Sequence, residues 1–315
     1  MPFPLSLRAA MLAAGVESGY LSPRMKTVTQ VLCAVLLAFA AGCGERGSPP
    51  AEPAGPRAQT AAPDGFVVYQ RGPDLYSLEI GGTEKILAKN ASWPRVSPDG
   101  RWVACVSGRE IRRIGMESGA VETLTTADAP RAVCWSADGA AVFFTDGRTV
   151  RRCEVRTGAS VTVLDGREVM ELDVAPGERL LAATVKRFGY AVWVFTLPGG
   201  HGTKLAAGCS ASLSPDGMLA TVNVDGHREL ALMDPSGATE RGRIRAPAGM
   251  RLDNQFWSND QGWLAVVSEG DARDVYLQRS DNGAVFRVTQ SGDCDRPDLW
   301  VRQSAPAGAQ AGGGE

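Results

Sequence analysis

The chain has 315 residues, with 33 basic and 35 acidic side chains and a formal net charge of −2. Residues 1–43 carry Arg8, Arg24 and Lys26 against Glu17, so the remainder holds 30 basic and 34 acidic side chains. That balance excludes the basic surplus of a nucleic-acid binder. The 37 Gly and 19 Pro signal many turns, and outside residues 28–42 no apolar run is long enough to insert in a bilayer.

Near the start, Met25-Lys26-Thr27 precedes the apolar run Val31 to Gly42 and then Cys43. A basic start, a short apolar core and small residues form the layout of a secretory signal peptide. Ala40-Ala41-Gly42-Cys43 resembles the lipobox of bacterial lipoproteins. The resemblance implies diacylation of Cys43, which becomes the mature N-terminus and anchors the chain to a membrane. The basic pair at 24 and 26 places the true translation start at Met25, with residues 1–42 removed as leader. Residues 43–61 are rich in Pro, Gly and Ala and read as a disordered tether. Residues 303–315 read as a disordered tail.

The middle of the chain repeats. The tetrad Ser97-Pro98-Asp99-Gly100 returns as Ser136-Ala137-Asp138-Gly139 and Ser214-Pro215-Asp216-Gly217, with a degraded copy at Ala175-Pro176-Gly177-Glu178. Three successive spacings are 39 residues. A further copy, Ser258-Asn259-Asp260-Gln261-Gly262, reads with one extra residue, and Ala62-Pro63-Asp64-Gly65 begins the series. Pro presets φ, Asp accepts hydrogen bonds from the turn backbone and Gly supplies positive φ, so each tetrad reads as a turn between two strands. Near-continuous apolar runs follow, such as Trp102 to Val106, Leu180 to Val185 and Trp263 to Val267, as expected for strands covered on both faces. A second strand, a Gly-containing turn, a third strand and a fourth complete each unit. Four short antiparallel strands per roughly 40 residues predict a propeller blade. Six units fill residues 62–302, giving an all-β, six-bladed β-propeller.

Ser-Pro-Asp-Gly followed by a Val-rich strand and by Asp74-Leu75-Tyr76 or Asp274-Val275-Tyr276 resembles the TolB-type, WD40-like propeller repeat. By that resemblance, Asp295 to Trp300 supplies the innermost strand of the blade begun at Phe66, so that the two ends of the domain close the ring. It also implies a binding role in envelope assemblies. An amino-terminal α/β domain of the kind TolB carries is not recognisable, so the TolB role itself is not assigned.

Catalytic and metal motifs are scarce. The two histidines, His201 and His227, should emerge on opposite faces, and neither Cys-x-x-Cys nor His-Glu-x-x-His occurs. Neither a metal site nor a cofactor is therefore expected. Ser258 to Trp263 loosely resembles the Asp-box of sialidases but fits better as a repeat turn. Cys105, Cys134 and Cys153 read as buried strand thiols, with Cys209 and Cys294 in equivalent loops too far apart to join. Arg112-Arg113 and Arg151-Arg152 read as a solvated outer edge. The longer loops cluster late in the chain and carry Lys186, Arg187, Arg228, Arg251, Asp253, Asp271, Arg273, Asp293 and Asp295. These form a predicted mixed-charge rim at the channel mouth that docks a protein or peptide. The expectation is a monomeric, non-catalytic scaffold facing the periplasm, with the outer membrane favoured because Gly44 follows Cys43. The rival is a propeller enzyme or glycan binder of lyase or sialidase type with residues converging on the central channel, and a third reading is a structural member with a degraded site.

Overall fold

A computed structural model describes residues 61–198 and 200–303. The expected leader, Cys43, the tether through residue 60 and the tail beyond residue 303 lie outside the described residues. No helix among the described residues is long and apolar enough to cross a membrane.

The described chain forms six four-stranded antiparallel sheets. The first blade takes β1 (Gly65–Arg71), β2 (Asp74–Glu79) and β3 (Glu84–Ala88). The second holds β4 (Ser92–Val96), β5 (Trp102–Ser107), β6 (Glu110–Gly115) and β7 (Val121–Thr126). The third holds β8 (Pro130–Trp135), β9 (Ala141–Asp146), β10 (Thr149–Glu154) and β11 (Ser160–Leu164). The fourth holds β12 (Val169–Val174), β13 (Leu180–Lys186), β14 (Tyr190–Thr196) and β15 (Gly202–Ala207). The fifth holds β16 (Cys209–Leu213), β17 (Ala220–Val224), β18 (Glu229–Met233) and β19 (Glu240–Arg245). The sixth holds β20 (Leu252–Trp257), β21 (Trp263–Ser268), β22 (Val275–Arg279) and β23 (Val285–Arg287), and β24 (Cys294–Val301) returns to the first blade beside β1. The innermost strands β4, β8, β12, β16, β20 and β24 touch one another in a closed ring. This is the predicted six-bladed propeller, closed by pairing of its terminal strands from Gly65↔Val301 to Arg71↔Cys294.

The second strand of each blade is sandwiched between neighbouring blades, which is why its sequence is continuously apolar. Val103, Ala104 and Cys105 on β5, and Leu264, Ala265, Val266 and Val267 on β21, have no exposed surface. Outer strands fade to exposure, as on β3.

The tetrads share one hydrogen-bond clasp. The Ser97 hydroxyl donates to Asp99 Oδ1 (2.5 Å) and accepts from Trp102 N (3.0 Å), while Arg101 N donates to the same Asp99 oxygen (3.1 Å). The clasp recurs at Ser136/Asp138 and Ser214/Asp216. It recurs again at Ser258/Asp260, where the structure corrects the reading of an extra residue. Gln261 takes the left-handed position (φ 62°) that Gly100 and Gly217 hold elsewhere (φ 73° each), and Gly262 is the residue after it, not the turn glycine. In the degraded copy, Glu178 stands in that position (φ 55°) with Gly177 before it (φ 75°). Ala62 to Gly65 forms no such turn but leads into β1 at the seam, where Arg302 N donates to Asp64 O. The five domain cysteines are free thiols, and Cys209 and Cys294 open β16 and β24 instead of lying in loops.

Gly100 and Gly139 hold the same turn position but face different neighbours. A Cβ on Gly100 would sit 2.4 Å from Trp300 Cε2, whereas one on Gly139 meets only Pro98 Cδ at 3.9 Å. Gly139→Ala should cost about 1–2 kcal/mol for left-handed backbone. Gly100→Ala should cost a further ~1–3 kcal/mol for overpacking against the closing strand. Urea melts of the two variants test the order; equal losses would contradict it.

Candidate functional site

Strand direction sorts the connections onto two faces. The tetrads and the hairpins between the outer two strands share one face, here the turn face. The hairpins between second and third strands, and the crossings into each innermost strand, share the opposite loop face. The structure places His201 between β14 and β15 on the turn face and His227 between β17 and β18 on the loop face.

On the turn face the channel opens as a cavity of about 350 Å³, lined among others by Arg95, Asp173, Phe256, Trp257, Asp298 and Trp300. Innermost strands have one unpaired edge, so their N–H groups need partners. Carboxylates of the preceding blade supply them. Asp298 accepts from Val96 N (2.7 Å) and Asp173 from Leu213 N (2.8 Å). Glu171 accepts from Ser210 N (2.7 Å) and Thr184 Oγ1 (2.6 Å). Arg95 reaches across the channel until its guanidinium lies 3.3 Å from the Phe256 ring centroid, a cation–π contact in a desolvated site. Burial pushes the Asp298 carboxyl up to about 6, with Arg95 and the Val96 N–H acting against it. Burial likewise raises Asp173 and Glu171.

On the loop face the innermost strands begin with bulges, at Ser92/Arg95 on β4, Cys209/Ser212 on β16 and Asp253/Phe256 on β20. Trp93, Ser210, Asn254 and Arg296 take positive φ there (57°, 60°, 52° and 47°). A bulge re-aims side chains at a sheet edge. Here it brings Cys209, His227 and Asp253 together at the boundary of the fifth and sixth blades. Cys209 Sγ lies 3.4 Å from His227 Nε2 and 3.7 Å from Asp253 Oδ1. Burial first, then Asp253 and Glu171, pushes the Cys209 thiol up to about 12. The thiol is therefore protonated at neutral pH and is not a poised nucleophile.

The nine predicted rim residues all lie on the loop face, but in two different states. Arg251 pairs with Glu269 (2.5 Å), Arg273 with Asp295 (3.0 Å), and Asp293 lies 4.0 Å from Arg71. Asp253 turns inward to accept from Ser210 Oγ (3.0 Å). Arg228 leans on its own loop at Asp225 O (3.5 Å), and Asp271 is exposed. Arg251, Arg273 and Asp295 are thus spent on ion pairs, while Arg228 and Asp271 are not. Lys186 and Arg187 instead join Arg148 and Arg167, with one carboxylate, Glu168, around an exposed hollow of about 340 Å³ between the third and fourth blades. Beside it Phe188 is 97% exposed. Among the described residues none of these four cations forms an ion pair; Asp146, at the end of β9, pairs instead with Arg151 (3.7 Å). Arg112, Arg113, Arg151 and Arg152 are half-buried, and Arg113 and Arg152 bind Glu122 and Glu178.

The sequence reading passed over Arg148 and Arg167. A signal was present: Arg109, Arg148 and Arg187 are spaced by the 39-residue repeat, and so stand at one hairpin tip in three successive blades. Arg109 is paired with Asp128.

No family model matches the sequence, and no curated protein matches it. Solved structures do. TolB from Acinetobacter baumannii is similar with a TM-score of 0.62 at 16% identity, over 75% of this chain and 66% of that one. The chain thus spans just under two thirds of that TolB. A structure described as the nidogen/laminin complex is similar with a TM-score of 0.59 at 11% identity, over 74% of this chain and 97% of that one. An oligogalacturonate lyase in complex with manganese gives 0.50 at 15% identity, over 71% and 74%. The likeness is one of fold: a six-bladed propeller of the TolB kind.

A carboxyl raised on folding holds its proton longer in the native state, so its stabilising contribution is present below the ordinary pKa of about 4 and is lost as pH rises through about 6. Wild type should therefore lose up to about 3 kcal/mol relative to Asp298→Asn between those values. Urea titrations of both proteins across that range check it; a constant difference would contradict the assignment.

Proposed function

We propose that the chain is a non-catalytic binding scaffold that docks an acidic protein or peptide segment on its loop face. The observation that carries this reading is the hollow of Arg148, Arg167, Lys186 and Arg187 beside the protruding Phe188. Exposed large apolar side chains next to unpaired cations favour association over solubility alone. Four cations against the single carboxylate of Glu168 give the hollow a positive surplus, which steers an acidic partner, and an aromatic anchor supplies the desolvated contact. TolB-like propellers support a protein partner in general, and a propeller of similar fold occurs in the nidogen/laminin complex.

The rival reading is an enzyme, and the manganese-bound lyase of similar fold speaks for it. In the turn-face cavity, however, Asp173 and Asp298 are committed to backbone N–H groups and Arg95 to Phe256. That arrangement braces the ring and engages these three charged groups with the chain itself, which favours the binding reading.

We further place the scaffold at a membrane, tethered through a lipid on Cys43 and facing the periplasm. The lipobox-like segment before Cys43 supports this, since two or more acyl chains give stable anchoring.

Two outcomes are expected. Lys186→Glu with Arg187→Glu, or Phe188→Ser alone, should slow partner association by about tenfold or more at low salt while leaving the melting curve unchanged. Crosslinking capture from the native envelope, followed by binding kinetics with the captured partner, measures this; undiminished capture would reject the site. Cys43→Ser should move the protein from the membrane to the soluble fraction; retention on membranes would reject the anchor.

A further inference from the structure

Cys209, His227 and Asp253 come from three separate segments, the starts of β16 and β20 and the β17–β18 loop. Their ligand atoms nevertheless all lie within 4.8 Å of one another. Two of the edges are 3.4 Å, from Cys209 Sγ to His227 Nε2, and 3.7 Å, from Cys209 Sγ to Asp253 Oδ1. Zinc bonds to S, N and O ligands of about 2.0–2.3 Å, and a tetrahedron with such bonds has edges of about 3.4–3.7 Å. The two edges at Cys209 therefore already match a zinc tetrahedron, and the third, between His227 and Asp253, is no longer than 4.8 Å.

The surroundings hold each donor from behind. His227 presents Nε2 to the cluster because its Nδ1 is hydrogen-bonded to Glu269 Oε1. Glu269 is itself fixed by Arg251 through its other oxygen (2.5 Å). A carboxylate on the far nitrogen of a ligating imidazole fixes its tautomer and raises its basicity. Asp253 Oδ1 is held by Ser210 Oγ (3.0 Å) and Asn223 Nδ2 (3.4 Å). His227 itself sits in a left-handed conformation (φ 69°) in a loop where Asp225 (φ 48°) and Gly226 (φ 58°) do the same. Such backbone persists only where the surroundings impose it, and it clusters at functional sites.

We propose that Cys209 Sγ, His227 Nε2 and Asp253 Oδ1 form a Zn²⁺ site at the loop-face boundary of the fifth and sixth blades, with Glu269 orienting His227. A thiolate, an imidazole and a carboxylate are a zinc donor set, and thiolate disfavours Mg²⁺, Ca²⁺ and Mn²⁺. Three protein donors leave the fourth position to water or to a ligand atom, as in open zinc sites. Binding displaces the Cys209 thiol proton to solvent. The site lies apart from the basic hollow of the third and fourth blades, so the two proposals stand or fall separately.

The test strips the full chain with a chelator and titrates it with Zn²⁺ against a chromophoric competitor, reading stoichiometry by elemental mass spectrometry. One Zn²⁺ per chain is expected, with a higher melting temperature when loaded. Cys209→Ser and His227→Gln should each abolish stoichiometric binding, and Glu269→Gln should keep the stoichiometry but weaken affinity by about 10–100-fold. Co²⁺ in the unmutated protein should give a thiolate-to-metal charge-transfer band and strong tetrahedral d–d bands, a readout that does not require any variant to fold. Absence of tight Zn²⁺ binding would overturn the site. So would binding unchanged in both ligand variants, or a Co²⁺ adduct without the thiolate band.

Discussion

The structure depends on the pairing of β24 with β1. A propeller blade is covered on both faces only if every blade has two neighbours, so the stability of each unit is contingent on closure of the ring. The ladder from Gly65↔Val301 to Arg71↔Cys294 supplies the closure. Three side chains lock it: Asp298 to Val96 N, and Arg302 to Asp64 and Glu79, and above all Asn259. The Asn259 amide accepts from Val301 N (2.7 Å) and donates to Val301 O (3.0 Å), so it pairs with the last strand as backbone would. Pro98, Pro176 and Pro215, or Ala137, which the other tetrads carry at this position, offer neither side-chain group. The departure from the repeat at residue 259 is therefore the place where the sixth blade grips the seam.

The fold was legible because the repeat is local chemistry. Ser, Asp and a left-handed residue close the same clasp wherever they occur, and the apolar run after them needs only burial on both sides. Gln261 was misjudged because glycine is the usual but not the obligatory occupant of left-handed backbone, and the clasp of Ser258 and Asp260 tolerates another residue there. The candidate sites were less legible. That long loops gather on one face follows from strand direction. Which of their charges are spent on each other does not, because Arg251 meets Glu269 and Arg273 meets Asp295 across 18 and 22 residues of chain. Cys209 and Asp253 meet only because bulges turn the first residues of β16 and β20 toward one another, and a bulge leaves no motif in sequence.

The loop face thus divides by blade. The third and fourth blades present unpaired cations and an exposed ring to solvent. The fifth, sixth and first blades turn most of their loop-face charges, Arg228 and Asp271 excepted, onto one another and onto a small pocket of thiol, imidazole and carboxylate. In both sectors short connections carried on the strands supply most of the groups, the usual place for binding residues on a rigid scaffold.

Arg95 lying on Phe256 sets a stacked, buried pair into the lining of the turn-face cavity. A molecule admitted between the tetrads would meet that pair and the carboxylates that brace the ring, whereas one approaching the loop face would meet the hollow of the third and fourth blades. The two ends of the propeller thus offer chemically different surfaces to their surroundings.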